Sequence, residues 1–164
     1  LIGKDKLDIK IDFDGQISNF EQQVTATTAA QVQIKRPSAP RPIDQQDMIQ
    51  VPLIQLAWGR SGDKGNKANV GIIARRQEYY PYIVSTLTEQ IVAQRFAHFI
   101  EVQNDDKIVE AYLLPGLYAI NFLIHDVLGG GGVASIRNDA QGKGYAQILL
   151  ATPISVPADL IKTP

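Results

Sequence analysis

Residues 36–42 read Arg-Pro-Ser-Ala-Pro-Arg-Pro. Proline lacks a backbone N–H and holds φ near −65°, so Pro37, Pro40 and Pro42 exclude both a helix interior and a regular strand ladder. The stretch reads as an extended, poorly packed linker. It divides the chain near residue 50. Residues 1–50 hold an N-terminal strand-like segment and the Pro-rich linker, and residues 51–164 hold an α/β domain.

On the N-terminal side, residues 7–13 alternate apolar and polar, as a half-buried strand does, and Asp14-Gly15 reads as a turn. Residues 21–35 are rich in Gln, Thr, Ala and Val without a clean period.

Beyond the linker the coarse order is strand, strand, helix, strand, helix, strand, strand. Residues 53–58 and 70–74 are short apolar runs that read as a strand pair around a polar loop. In residues 78–99, Ile83, Val84, Leu87, Ile91, Val92 and Phe96 share one helical face. Pro81 suits its first turn, and Thr86 with Glu89 forms a capping box where the helix breaks in two. Residues 107–114 predict a strand turned by Pro115-Gly116. Residues 117–128 predict an apolar helix ended by the glycine run. Residues 133–137 and 145–151 predict strands around a turn at residues 139–143, and Pro153 and Pro157 predict a frayed tail. The expected fold is a two-layer α/β sandwich, with two helices on one face of a mostly antiparallel sheet.

With 164 residues, 45% of them hydrophobic, the chain can bury a real core. Its formal charge of −1 gives no field to attract nucleic acid or an anionic membrane, so neither is an expected partner. No cysteine is present, which excludes disulfides, thiolate zinc sites and cysteine nucleophiles and suits a cytoplasmic location. No apolar run reaches the roughly 18 residues of a membrane span. The chain opens on Leu1 without a signal-peptide pattern, so a piece of a longer protein is expected.

Two stretches carry the chemistry. In Arg60-Ser61-Gly62-Asp63-Lys64-Gly65-Asn66, ending at Asn69, turn residues alone account for a polar hairpin loop. The functional reading is an anion cradle. Gly62 and Gly65 let backbone N–H groups converge, Lys64 adds a point charge, and Ser61 and Asn66 add hydrogen bonds. The spacing is neither a Walker loop nor a dinucleotide fingerprint. The second stretch runs from Asn121 to Gly129, Gly130, Gly131 and Gly132. Four glycines are expensive to order, whereas a helix stop needs one. The run is either a flexible cap or a place where a ligand or another chain approaches the backbone. Both stretches are expected to be neighbours in space. His98 and His125 are read as structural, no cluster has metal-ligand spacing, and no serine-hydrolase elbow is present. Which bond the protein makes or breaks, if any, is not legible in these residues.

Three blocks together resemble the small ferredoxin-like domain that ends the acyclic terpene utilisation protein A (AtuA) family. They are Arg60-Ser61-Gly62-Asp63-Lys64-Gly65-Asn66 with residues 68–75, Asn121-Phe122-Leu123 running into the four glycines, and Asp139-Ala140-Gln141-Gly142-Lys143. The likeness covers residues 53 to about 151. It implies a ferredoxin-like fold and bacterial catabolism of acyclic terpenes such as citronellol and geraniol, through coenzyme A thioesters. It also implies a large N-terminal domain ahead of this one. The resemblance carries over no catalytic residue. The ligand expected is a small anion, an acyl-CoA-type thioester or a carboxylate, with no other cofactor. The alternative is an interaction domain without chemistry, packed on that large domain or on a second subunit of a homo-oligomer.

Overall fold

The computed structural model describes residues 6–20, 35–43, 47–100 and 108–162. The chain divides into two compact units, Leu1–Ile34 and Lys35–Pro164. In the first, β1 (Lys10–Phe13) and β2 (Gln16–Asn19) form a hairpin around the expected Asp14-Gly15 turn, but both strands are exposed along their length and not half-buried. Asp14 and Gly15 both take positive φ, 51° and 82°, which is what a two-residue turn matched to strand twist requires. Most of the Gln- and Thr-rich stretch lies outside the described residues.

In the second unit, β3 (Met48–Pro52) leads through a 3₁₀ turn at Leu53–Gln55 into β4 (Ala57–Lys64). The two-residue turn Gly65-Asn66 then reverses the chain into β5 (Lys67–Ala74). The polar stretch read as a loop is therefore mostly strand, and the run at 53–58 is mostly a 3₁₀ turn. Alternation decided this. Ala57, Ser61, Ala68, Val70, Ile72 and Ala74 are buried at every second place, or every fourth, and the residues between them face the other side.

The predicted broken helix is present as α1 (Tyr80–Thr86) and α2 (Glu89–Phe96). Its cap is Thr88, not Thr86: the Thr88 hydroxyl accepts from Ile91 N at 3.2 Å. Next come β6 (Val109–Leu114), β7 (Ala119–Ile124), α3 (Tyr145–Leu150), β8 (Pro153–Pro157) and α4 (Ala158–Lys162).

Four expectations are corrected here. Residues 117–128 hold β7 and bends rather than a helix, because a short apolar run fits a central strand as well as a helix. Ile120, Phe122 and Ile124 face the core, and Asn121 and Leu123 the other side. Residues 145–151 are helical, and burial of Tyr145, Ala146, Leu149 and Leu150 follows the helical period. The turn at 139–143 consequently starts a helix instead of joining strands, and residues 133–137 hold the end of a turn and a bend and no strand. The C-terminal segment is not frayed: β8 pairs antiparallel with β3, burying Ile154 and Val156 completely.

The main sheet is antiparallel in the order β4-β5-β7-β6. β5, the α1–α2 pair and β6 make a split crossover, with β7 inserted between the two strands. The place beside β5 is taken by β4, which precedes the crossover. After α3 the chain leaves the main sheet and closes the β3-β8 pair. α2 packs on β6, and α3 on β4 and β5. The fold is thus the expected α/β sandwich, ferredoxin-like, with α3 as the second helix. Its core joins Val70, Ile72, Phe96, Phe122, Leu128 and Leu149.

Candidate functional site

One face of the four-stranded sheet carries the helices; the other is open. Register fixes what stands on the open face, since directly paired residues of antiparallel strands share a side. One row is Arg60–Gly71–Asn121–Tyr112. The next is Gly62–Asn69–Leu123–Glu110, and on the other flank lies Trp58–Ile73–Ala119–Leu114. Two glycines, Gly62 and Gly71, lie on diagonal positions and floor a shallow basin.

The basin's rim is polar and cationic. Asn69 Nδ2 donates to Asn121 Oδ1 at 3.2 Å. Among the described residues the Arg60 guanidinium makes no ion pair or hydrogen bond. Lys143 reaches round the edge strand. A Cβ built on Gly62 would lie 3.1 Å from Lys143 Nζ, so the missing side chain leaves the place for that ammonium group. Asp63 Oδ1, 4.0 Å from Lys143 Nζ, steadies it from the side. Lys64 Nζ donates to the Asp63 carbonyl at 2.7 Å, at the end of the same strand.

The remaining predicted residues hold the scaffold. Ser61 points to the helix side and is buried. Its hydroxyl donates to Lys143 O at 3.0 Å and accepts from Ala146 N at 2.9 Å, tying β4 to the start of α3. Asp139 completes that start by accepting from Lys143 N and Gly144 N, each at 2.8 Å. Asn66 clamps the glycine run. Its Oδ1 accepts from Gly130 N at 2.7 Å, its Nδ2 donates to Asp126 Oδ1 at 3.2 Å, and its carbonyl accepts from Val127 N at 3.1 Å.

The hairpin turn and the glycine run therefore touch, as expected from the sequence. Gly129, Gly130 and Gly131 all take positive φ, and Gly65 does so opposite them. Gly132 closes the run at the surface. The structure thus separates the candidates into two groups. Arg60, Gly62, Lys64, Asn69 and Asn121 share the open face, while Ser61, Asp63, Gly65, Asn66 and the glycine run position what surrounds it.

Three features escaped the sequence reading. Lys143 lay in the third block of the resemblance without a role. The apolar row Trp58–Ile73–Leu114 is visible only with the register, and its members are 54%, 47% and 43% exposed. The third is a polar chain at the β6 edge: His125 Nε2 meets Glu110 Oε1 at 2.8 Å, and Tyr112 donates to Glu110 Oε2 at 2.8 Å. Two arginines stack beside these, Arg75 over the Trp58 ring at 4.6 Å and Arg36 over Tyr112 at 5.1 Å. Arg36 comes from the Pro-rich segment, which forms no ladder; the Ile43 carbonyl of the same segment accepts from the Tyr82 hydroxyl at 3.0 Å.

Among the described residues no group of three or more His, Asp or Glu is placed to hold a metal ion, and no helix is long and apolar enough to cross a membrane. In comparisons with known proteins, residues 51–155 match the AtuA ferredoxin-like domain. No curated protein and no solved structure matches the chain.

Proposed function

The chain belongs to the AtuA ferredoxin-like domain family, and from that premise we propose that its open sheet face binds a small amphipathic anion, a carboxylate or an acyl-CoA-type thioester. The observation that carries this reading is the juxtaposition of Arg60 and Lys143 with the Asn69–Asn121 pair over a glycine floor. Arg60 presents a planar fork of donors to an oxyanion, and Lys143 adds a point charge. Asn121 Nδ2, which makes no hydrogen bond among the described residues, supplies a neutral donor.

The neighbouring row supplies the other half. Trp58, Ile73 and Leu114 lie one register step from Arg60, so a ligand with its charged head in the basin can lay a hydrocarbon chain across them. Three strand spacings give that row a length of about 14 Å. Such a ligand suits the catabolism of acyclic terpenes that the family name implies. The part we assign to the domain is recognition of that ligand.

A second reading rests on the same exposed row: a polypeptide, the family's large domain or another subunit, covers the face instead. Isothermal titration separates the two. The protein should bind a medium-chain carboxylate or its coenzyme A thioester, and Arg60→Ala should weaken binding at least about tenfold, the value of one charge-assisted hydrogen bond. Absence of measurable binding of either probe leaves the polypeptide reading.

A further inference from the structure

A cleft of about 680 Å³ opens on the helix side of the domain, away from the open sheet face. Its floor is Phe99, Tyr145 and Ile148, and its rim is Ile136, Arg137 and Asp139. Phe99 and Tyr145 stack with centroids 5.1 Å apart. The charged rim is fixed in place. Arg137 Nη1 donates to the Val127 carbonyl at 2.6 Å and its guanidinium lies over Phe99 at 5.7 Å, while Asp139 is held by its two backbone contacts at the start of α3.

Beside this hollow stands a projection. The turn after the glycine run is closed by Ala134 N and Ser135 N, both donating to the Gly131 carbonyl, at 3.0 and 2.7 Å. It carries Val133 and Ile136, with relative exposures of 107% and 102%. Two fully exposed β-branched side chains beside an aromatic-floored cleft make an apolar patch of the kind that marks a contact surface.

We propose that this patch joins two copies of the chain, with Val133 and Ile136 of each entering the cleft of the other. A two-fold contact needs one patch that holds both halves of the fit. Here the apolar knob and the apolar hollow adjoin, and Ile136 belongs to both. The charges obey the same requirement. Arg137 and Asp139 stand two residues apart on the rim, so turning the patch over sets the cation of one copy against the anion of the other. Aromatic rings such as those of the cleft floor are what interface cores favour, and arginine is enriched beside them. One cleft and one turn make a small contact, so the dimer should dissociate in the micromolar range or weaker, about 1 μM to 100 μM.

Sedimentation equilibrium of the full chain from about 1 μM to about 1 mM, a span set by that affinity, tests this. The expected result is a monomer–dimer equilibrium that Ile136→Asp abolishes without lowering the thermal midpoint. Ile136→Cys gives an independent readout, because the chain has no other thiol. It should form a disulfide-linked dimer faster than Ile54→Cys, also exposed but far along the chain. A wild type that stays monomeric throughout overturns the proposal. So does a dimer that survives Ile136→Asp, since it must form through another surface.

Discussion

Gly131 and Gly65 meet backbone to backbone. A Cβ on Gly131 would lie 2.7 Å from the Gly65 carbonyl oxygen, and Gly131 has φ of 91°. The hairpin turn of β4 and β5 therefore packs against the glycine run only because Gly131 carries no side chain there. Gly131→Ala adds a clash with backbone to an unfavourable backbone angle, each worth about 1 kcal/mol or more. Urea denaturation should show a loss of about 2–4 kcal/mol. Gly116→Ala, where an added Cβ meets nothing within 4 Å, is the control and should change little.

Ser61 gives a second test of the scaffold. Its buried hydroxyl is both donor to Lys143 O and acceptor from Ala146 N, so Ser61→Ala leaves two backbone groups of the α3 start without that partner. The expected loss is about 1–3 kcal/mol. Anion affinity per folded molecule should fall by less than for Lys143→Ala, because Ser61 holds the backbone of Lys143 and not its ammonium group. A wild-type denaturation midpoint in Ser61→Ala would contradict the bond.

Much of this could be read from the sequence, and the misreadings have a common physical origin. The β1-β2 turn followed from its turn residues, the α1–α2 break from a capping pattern whose Thr was misplaced by two residues, and the contact between the polar stretch and the glycine run from the cost of ordering both and the family resemblance. Residues 117–128 and 145–151 exchanged types because each is a short apolar run in a small domain, where period is weakest as a signal. β8 was lost to its two prolines, which sit at the ends of the strand rather than inside it. In the candidate site, the residue types were legible and their facing was not. The alternation Trp58, Arg60, Gly62, Lys64 was in plain view, but only pairing with β5 and β7 shows which side chains share a surface. Lys143 reaches that surface from a different element, which no local pattern encodes.

Two tyrosines give a pH dependence. Burial pushes the Tyr80 and Tyr145 hydroxyls above the ordinary value of 10.0, and for Tyr145 the nearby Arg137 opposes the shift. The folded state then holds these protons more tightly than the unfolded chain. Stability is fully present below pH 10 and falls as pH rises from there through the folded values. Phenylalanine at either position should flatten that alkaline limb. At neutral pH the two substitutions should differ. Tyr145→Phe removes a 2.8 Å bond to the Val127 carbonyl and should lose about 1 kcal/mol, whereas the Tyr80 hydroxyl is buried without a partner among the described residues, so Tyr80→Phe should be neutral or stabilising. Thermal melts at pH 7 and pH 10.5 check both.

The cations of the open face should not be equivalent. Arg60 and Lys143 border the basin, whereas Lys64 is held by the Asp63 carbonyl at the strand end. Arg60→Ala and Lys143→Ala should each weaken a carboxylate probe by about tenfold to a hundredfold, with Lys64→Ala below that range. Rising salt should reduce the wild-type affinity and narrow these differences. Equal losses from all three would point to a diffuse charge effect and not a built site.

Amide chemical-shift mapping tests the central claim most directly. Titrating the ¹⁵N-labelled chain with a medium-chain coenzyme A thioester should move Gly62, Asn69, Gly71 and Asn121 together, along with the Trp58 indole N–H. Gly130 and Ala146, whose N–H groups are held by Asn66 and Ser61, should stay nearly still. Saturable shifts confined to the open sheet face are the predicted result. A spectrum that does not change, or one whose changes lie away from those five groups, would contradict the account.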